Sequence, residues 1–222
     1  MTVAAGFGGR TSPYERVMSG RHAGPLTLEP LHDDADDHGI VRFEVERFLA
    51  AADATDHAVL AFSRGPVLDV GCGPGRMVRA ALLAGRPALG VDVSPAAVRR
   101  ATAQGLPVLH RSVFDPLPRE GDWGTVLLLD GNVGIGGDPL RLLARVGVLL
   151  AHDGRLLAEC HPQPHRDRRF QAVVADADGR VGDPFGWAEV GVSALVGLAQ
   201  AAGLRPVARW RRGGRRFVAL AR

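Results

Sequence analysis

Three glycines at alternate positions, Gly71, Gly73 and Gly75 in the stretch VLDVGCGPGR, carry the strongest chemical constraint in the chain. Apolar residues lead into them and a helical pattern follows, so the loop brings backbone amides toward a helix N-terminus, where a ligand can touch main chain. The spacing G-x-G-x-G departs from the dinucleotide fingerprint G-x-G-x-x-G, because the sixth position is Arg76, whose bulk intrudes where a pyrophosphate needs close packing. Pro74 removes one more amide. Asp92 lies 21 positions after Gly71, at the end of the next apolar run, where a carboxylate can accept both hydroxyls of a ribose. A nucleoside without a diphosphate fits these residues better than NAD.

Other reactive residues fall where later strands end. Asp130, Gly131 and Asn132 follow one apolar run; Glu159, Cys160, His161 and His165 follow another. His161 is the candidate general base, since imidazole titrates near neutrality. The run HDDADDH, from His32 to His38, offers oxygen and nitrogen ligands to a divalent metal or forms an acidic solvated linker; it matches no calcium-loop pattern, and no metal is assigned.

The elements that must hold these groups alternate in type from residue 65 onward. Short apolar runs at 67–70, 88–92, 106–110, 125–130 and 155–160 read as strands, and residues 76–84, 95–104 and 139–150 between them as helices. Strands without polar alternation, separated by helices, imply a parallel sheet covered on both faces with right-handed crossovers. Residues 194–202 form a last helix, and RPVARWRR and RRFVALAR flank Gly213 and Gly214 as an antiparallel hairpin. Residues 1–64 differ in character. Helical periodicity at 41–51 and 58–62 suggests that this part covers one edge of the sheet. The connection 161–187 is long enough to act as a lid over the strand ends.

VLDVGCGPGR, GVDVS, SVFDPLP, LLLDGNVG and LLAHDGRLLAE resemble, in order and spacing, the successive motifs of class I S-adenosylmethionine-dependent methyltransferases, over residues 65–222. The resemblance implies an α/β Rossmann-like fold: a seven-stranded, mostly parallel sheet with an antiparallel C-terminal hairpin strand and helices on both faces. Residues 1–64 then form a helical lid segment ahead of the methyltransferase domain, into which 161–187 is a lid-like insertion. It also implies S-adenosyl-L-methionine as cofactor. Gly71, Gly73 and Gly75 back its methionine part and Asp69 orders the loop. Asp92 takes the ribose with Val93 beside it, Asp115 receives the adenine amino group while Phe114 packs on the ring, and Asp130 and Asn132 flank the transferred methyl. The segment DGNV departs from the [ND]-P-P-[FYW] pattern of enzymes that methylate exocyclic or amide nitrogens, so DNA bases are disfavoured as acceptors. The sequence is more similar to the small-molecule branch, with a small methyl acceptor at an oxygen or nitrogen nucleophile. A catalytically silent cofactor-binding or scaffold protein on the same fold stays open beside it, as does an NAD oxidoreductase.

Composition narrows the setting. At 222 residues with 46% hydrophobic and 23% charged residues, the chain fits one globular domain with a small appendage. Its apolar runs fall short of a membrane span. Its start lacks the apolar core of a secretory signal, so a cytoplasmic location is expected. Cys72 and Cys160 can build neither a disulfide framework nor an arsenite-type thiolate cluster. Every one of the 27 basic residues is arginine and the formal net charge is only +3. The arginines are spread along the chain, with density only at 209–216, and nucleic acid is not an expected partner. Monomer and homodimer are both compatible.

Overall fold

The computed structural model describes residues 7, 12–21, 24–31, 41–43 and 45–222. Within them the glycine loop opens from β3 (Val67–Val70), and βα units follow in the expected order: α4 (Arg76–Leu83), β4 (Ala88–Asp92), α5 (Pro95–Thr102), β5 (Val108–His110), β6 (Trp123–Leu128), a short 3-10 helix (Asn132–Gly137), α6 (Pro139–Leu149) and β7 (Leu150–Cys160). After an excursion described below, α7 (Val192–Ala201) leads to the hairpin β10 (Arg205–Arg212) and β11 (Arg215–Ala221). Seven strands pair in the order β10-β11-β7-β6-β3-β4-β5. β3 pairs in parallel with β4 and β6, and β7 with β6, while β11 runs antiparallel between β7 and β10. This is the expected Rossmann-like sheet.

Alternation along the central strands explains its two covered faces. Leu68, Val126, Leu156 and Val218 turn toward α6 and α7, which present Leu142, Leu143, Val146 and Leu195. The intervening Val67, Leu127, Leu157 and Phe217 meet Met77, Ala80 and Ala81 of α4 and Val59 and Leu60 of α3 (Ala54–Leu60). Each fully buried aliphatic side chain contributes roughly 1.5–3 kcal/mol, which makes these central strands the stable frame for the loops at their ends.

The segments outside that frame differ from the sequence expectation. Residues 41–51 are not one helix: β2 (Val41–Phe43) precedes a separate α2 (Val45–Leu49). β2 pairs antiparallel with β1 (Leu26–Pro30), so a strand partner overrides the local helical periodicity. The helix expected at 58–62 begins earlier, because Asp53 caps it, accepting from the Thr55 and Asp56 amides while Asp56 accepts from the Asp53 amide. The connection at 161–187 is largely strand. β8 (Asp167–Asp176) and β9 (Phe185–Val190) join β1 and β2 in a second sheet of order β2-β1-β8-β9. The strands of the N-terminal part therefore pair with the insertion, while α3 packs on a face of the large sheet.

That second sheet is tied to the carboxyl ends of the central strands. Leu26, Leu28, Val174, Phe185 and Trp187 share a core with Tyr14 and Met18 of α1 (Pro13–Met18) and with Ala96 and Ala97 of α5. Among the described residues no helix is long and apolar enough to cross a membrane, and no group of three or more His, Cys, Asp or Glu could hold a metal ion. The candidate ligands from His32 to His38 lie outside the described residues.

Candidate functional site

Between the strand ends and the second sheet lies a cavity of about 410 Å³, within the range of small-molecule sites. Its floor is the glycine loop. Gly71 and Gly73 have φ of +68° and +53°, the left-handed region that side chains resist. A Cβ on Gly71 would sit 2.7 Å from Asn132 Nδ2, and one on Gly73 would sit 3.2 Å from the Tyr14 hydroxyl. The loop thus threads between the segment after β6 and a helix of the N-terminal part, and glycine is what lets it pass.

Two side chains fix its shape. Asn132 Nδ2 donates to the carbonyls of Val70 (2.8 Å) and Gly71 (3.0 Å). Asp92 accepts the Gly73 amide at 2.7 Å through one carboxylate oxygen and the Ser94 amide at 2.8 Å through the other. It ends β4 and is buried, and that burial pushes its carboxyl above the ordinary range even though the Ser94 and Gly73 amides oppose the shift. Each oxygen retains acceptor capacity after one amide is satisfied. Asp92 is thereby aimed before any ligand arrives.

Along one wall run Val93, Ser112, Val113 and Phe114. The Phe114 ring carries the Arg141 guanidinium 4.4 Å from its centroid. Asp69, Met77 and Asp130 line the floor and the opposite side. Burial pushes the Asp69 carboxyl up to about 7, against the pull of Arg76.

Asp130 anchors a charged cluster that the sequence pattern did not reveal. It has φ of +55°, rare for a residue with a side chain. Arg76 bridges Asp56 and Asp130; Arg215 reaches Asp56 at 2.8 Å, Asp130 at 3.2 Å and Glu159 at 2.5 Å; Arg47 reaches Asp130 at 3.0 Å. Glu159 in turn accepts the Asp130 amide at 2.7 Å. Arg76, read from the sequence as an obstacle to a diphosphate, is buried with its guanidinium turned to these carboxylates.

Most sequence-derived site residues converge on this cavity: Asp69, Gly71, Gly73, Asp92, Val93, Phe114, Asp130 and Asn132 all line it. Three are elsewhere. Gly75 precedes α4 with φ of +89°, and a Cβ there would strike Leu106. The Asp115 carboxylate accepts the Ser112 amide at 3.1 Å and closes a local turn. His161 bridges to Gly191, and its Nδ1 accepts the Gln163 amide at 3.2 Å. The roof residues Phe7, Tyr14, Phe48, Phe185 and Trp187 complete the lining. Phe185 and Trp187 come from the connection expected to act as a lid, whereas Phe7, Tyr14 and Phe48 come from sequence far from every motif.

A family model described as a methyltransferase domain matches residues 43–208. The chain belongs to this family: it is a Rossmann-like S-adenosylmethionine-dependent methyltransferase. No curated protein matches it. Among solved structures, an S-adenosylmethionine-dependent methyltransferase from Bacteroides fragilis in complex with S-adenosyl-L-homocysteine is similar over 93% of this chain and 91% of its own, at 20% identity and a TM-score of 0.74. A 1,6-didemethyltoxoflavin-N1-methyltransferase from Burkholderia thailandensis, with 1,6-didemethyltoxoflavin and S-adenosylhomocysteine bound, is similar over 86% of this chain and 98% of its own, at 21% identity and TM-score 0.56. A sugar N-methyltransferase from Streptoalloteichus is similar over 81% and 89%, at 19% identity and TM-score 0.57.

Proposed function

We propose that the protein methylates a small molecule at an oxygen or nitrogen atom, within the cavity between the glycine loop and the second sheet. The observation that carries this reading is the convergence of the loop, the pre-aimed Asp92 carboxylate and the Phe114 wall on one enclosed space roofed by aromatic side chains. These residues fit S-adenosylmethionine: glycines leave room for its methionine part, Asp92 has acceptor capacity for ribose hydroxyls, and Phe114 offers a ring face to adenine. When bound, the cofactor supplies an electrophilic methyl whose bond to sulfur breaks as the acceptor's lone pair takes the carbon.

The chain's own residues then orient and shield. The floor faces the roof across the cavity, an arrangement suited to fixing the acceptor against the donor, from which most of the rate of such transfers arises. The aromatic roof excludes water. Tyr14 is a neutral hydrogen-bonding group, since burial and then the nearby Asp92 carboxylate push its phenol well above the ordinary range. Among the described residues no histidine lines the cavity, so a nucleophile that carries its own available lone pair suits it best.

Calorimetry with S-adenosylmethionine and S-adenosylhomocysteine, followed by transfer of a labelled methyl to a library of small phenols, amines and heterocycles, tests this. Binding with turnover of one acceptor supports the reading. Tight binding without turnover of any acceptor class would favour the silent scaffold, and absence of binding would overturn the donor assignment.

A further inference from the structure

The roof is built almost wholly of rings. Phe7 lies with its ring centroid 5.2 Å from that of Tyr14, 5.2 Å from Phe185 and 5.5 Å from Trp187, at interplanar angles of 66°, 49° and 78°. Phe185 and Trp187 meet each other edge to face at 5.9 Å and 87°. Among the described residues, Phe7 thus packs against three other rings at separations and tilts favoured by aromatic pairs.

Its position spans the two halves of the cavity. Tyr14, on one side of it, brings its hydroxyl against Gly73 in the donor loop. Trp187, on the other, lies over the segment after β6: a Cβ on Gly131 would meet its ring at 3.7 Å, and Gly131 follows Asp130 directly. Phe7 therefore packs against one ring that meets the loop and another that meets the segment after β6. All four rings line the same cavity, and Phe48 and Ile135 extend its apolar surface.

Phe7 is reached from the chain's far N-terminal part and belongs to none of the framework elements. Tyr14, Phe185 and Trp187, by contrast, sit buried on α1 and β9. Three of these four rings are thus carried by regular elements, and the fourth, Phe7, comes from outside them.

We propose that Phe7 occupies the acceptor's subsite, and that the acceptor is a planar aromatic ring that displaces it and packs among Tyr14, Phe185 and Trp187. This rests on the small-molecule methyltransferase reading and names the substrate class. The methyl passes to an oxygen or nitrogen on that ring, the acceptor's lone pair forming the new bond to carbon, the electron pair of the broken bond remaining on sulfur, and the acceptor's proton, where it has one, leaving to water.

Binding is measured by calorimetry, with and without S-adenosylhomocysteine, for matched neutral probes, phenol against cyclohexanol and anisole against methoxycyclohexane, with tetramethylammonium as a cation of similar bulk. Wild type is expected to prefer each aromatic probe over its saturated partner by at least fivefold. Phe7→Ala, which removes the competing ring, is expected to tighten phenol at least threefold, and Phe7→Trp to weaken it. Trp187→Leu is expected to erase the aromatic preference, with circular dichroism confirming its fold. Equal binding of aromatic and saturated probes, weaker phenol binding by Phe7→Ala, no probe bound below millimolar concentrations, or a preference for tetramethylammonium would each overturn the proposal. Because the probes are also measured without cofactor, failure of S-adenosylhomocysteine to bind would refute the donor reading while leaving the aromatic preference readable.

Discussion

Removal of the Asp92 carboxylate tests the donor site most directly, because the structure shows what else that group holds. Its two oxygens each accept one backbone amide, from Gly73 at 2.7 Å and Ser94 at 2.8 Å. Asp92→Ala therefore removes both the proposed ribose contacts and the brace of the loop. Hydrogen bonds to a charged group are worth about 1.5–3 kcal/mol each, so loss of two ribose contacts predicts at least about 3 kcal/mol, or more than about 100-fold in affinity. Relief of the burial penalty on the charge offsets part of the stability loss, so the melting temperature is expected to fall by only a few degrees while cofactor binding collapses. Asp92→Asn separates the two roles. Its amide oxygen can still accept one backbone donor, but its NH2 group must face the other, so the loop loosens and affinity falls less than in the alanine variant. Calorimetry against S-adenosylhomocysteine, with thermal melts of the same samples, reads both quantities. A folded Asp92→Ala protein that binds the nucleoside as wild type does would refute the ribose assignment.

The remaining predictions address the loop, its carboxylate and its cover. Gly73→Val places a branched side chain at φ of +53° and against the Tyr14 hydroxyl, so cofactor affinity is expected to fall at least tenfold in calorimetry while circular dichroism remains native; unfolding with no folded fraction would make Gly73 a folding residue instead. Asp69 has its carboxyl raised from 3.8 to about 7, so its contribution to stability is present in acid and lost as pH rises through 7; Asp69→Asn is expected to flatten that decline in urea titrations, by up to about 4 kcal/mol at pH 8, and an unchanged pH profile would contradict the shift. Glu15 accepts from the Ser94 hydroxyl and, at 3.0 Å, from the Ala96 amide, fastening α1 to the start of α5. Glu15→Ala is expected to cost about 1 kcal/mol and to raise hydrogen exchange in residues 13–18 of the free protein; unaltered exchange would show that apolar packing alone seats this helix.

How much of this was legible in the sequence depends on how local each signal is. β3, β4, α4 and α6 announce themselves through apolar runs and helical periodicity, and their ends fall within a residue or two of the reading. Gly71, Gly73 and Asp92 were legible because strand, loop and acid recur at fixed spacing. β2 was not, since three residues at 41–43 become a strand only through partners 13 to 17 positions upstream, from Leu28 opposite Val41 to Leu26 opposite Phe43. β8 and β9 hid in a connection whose alternating residues make sense only once β1 supplies a neighbour. The roof was harder still: Tyr14 and Trp187 are 173 positions apart, and no spacing rule links them. Asp115 answers to two demands at once, since a residue in the expected motif also accepts the Ser112 amide of its own turn.

The charged cluster beneath Asp130 shows why an acid beside the reacting centre need not act as a base. Burial raises its carboxyl above the ordinary range, helped by the Glu159 charge, and Arg76, Arg47 and Arg215 pull in the opposite direction without cancelling the rise. A proton taken from an acceptor would leave those guanidiniums facing a neutral group, in a cluster where Arg47, Arg76 and Arg215 otherwise balance Asp56, Asp130 and Glu159. Breaking such a buried network from one side costs about 3–5 kcal/mol, which disfavours a protonated Asp130 as an intermediate state. The same bonds have a clear mechanical use. They join α2, α3, α4, the end of β6, β7 and the C-terminal hairpin, and they clamp the left-handed backbone at Asp130 from which the chain turns under Trp187. Asp130 is thus placed to hold the segment after β6 in position, and under the proposed function it does so beside the methyl while the acceptor brings its own nucleophilic pair.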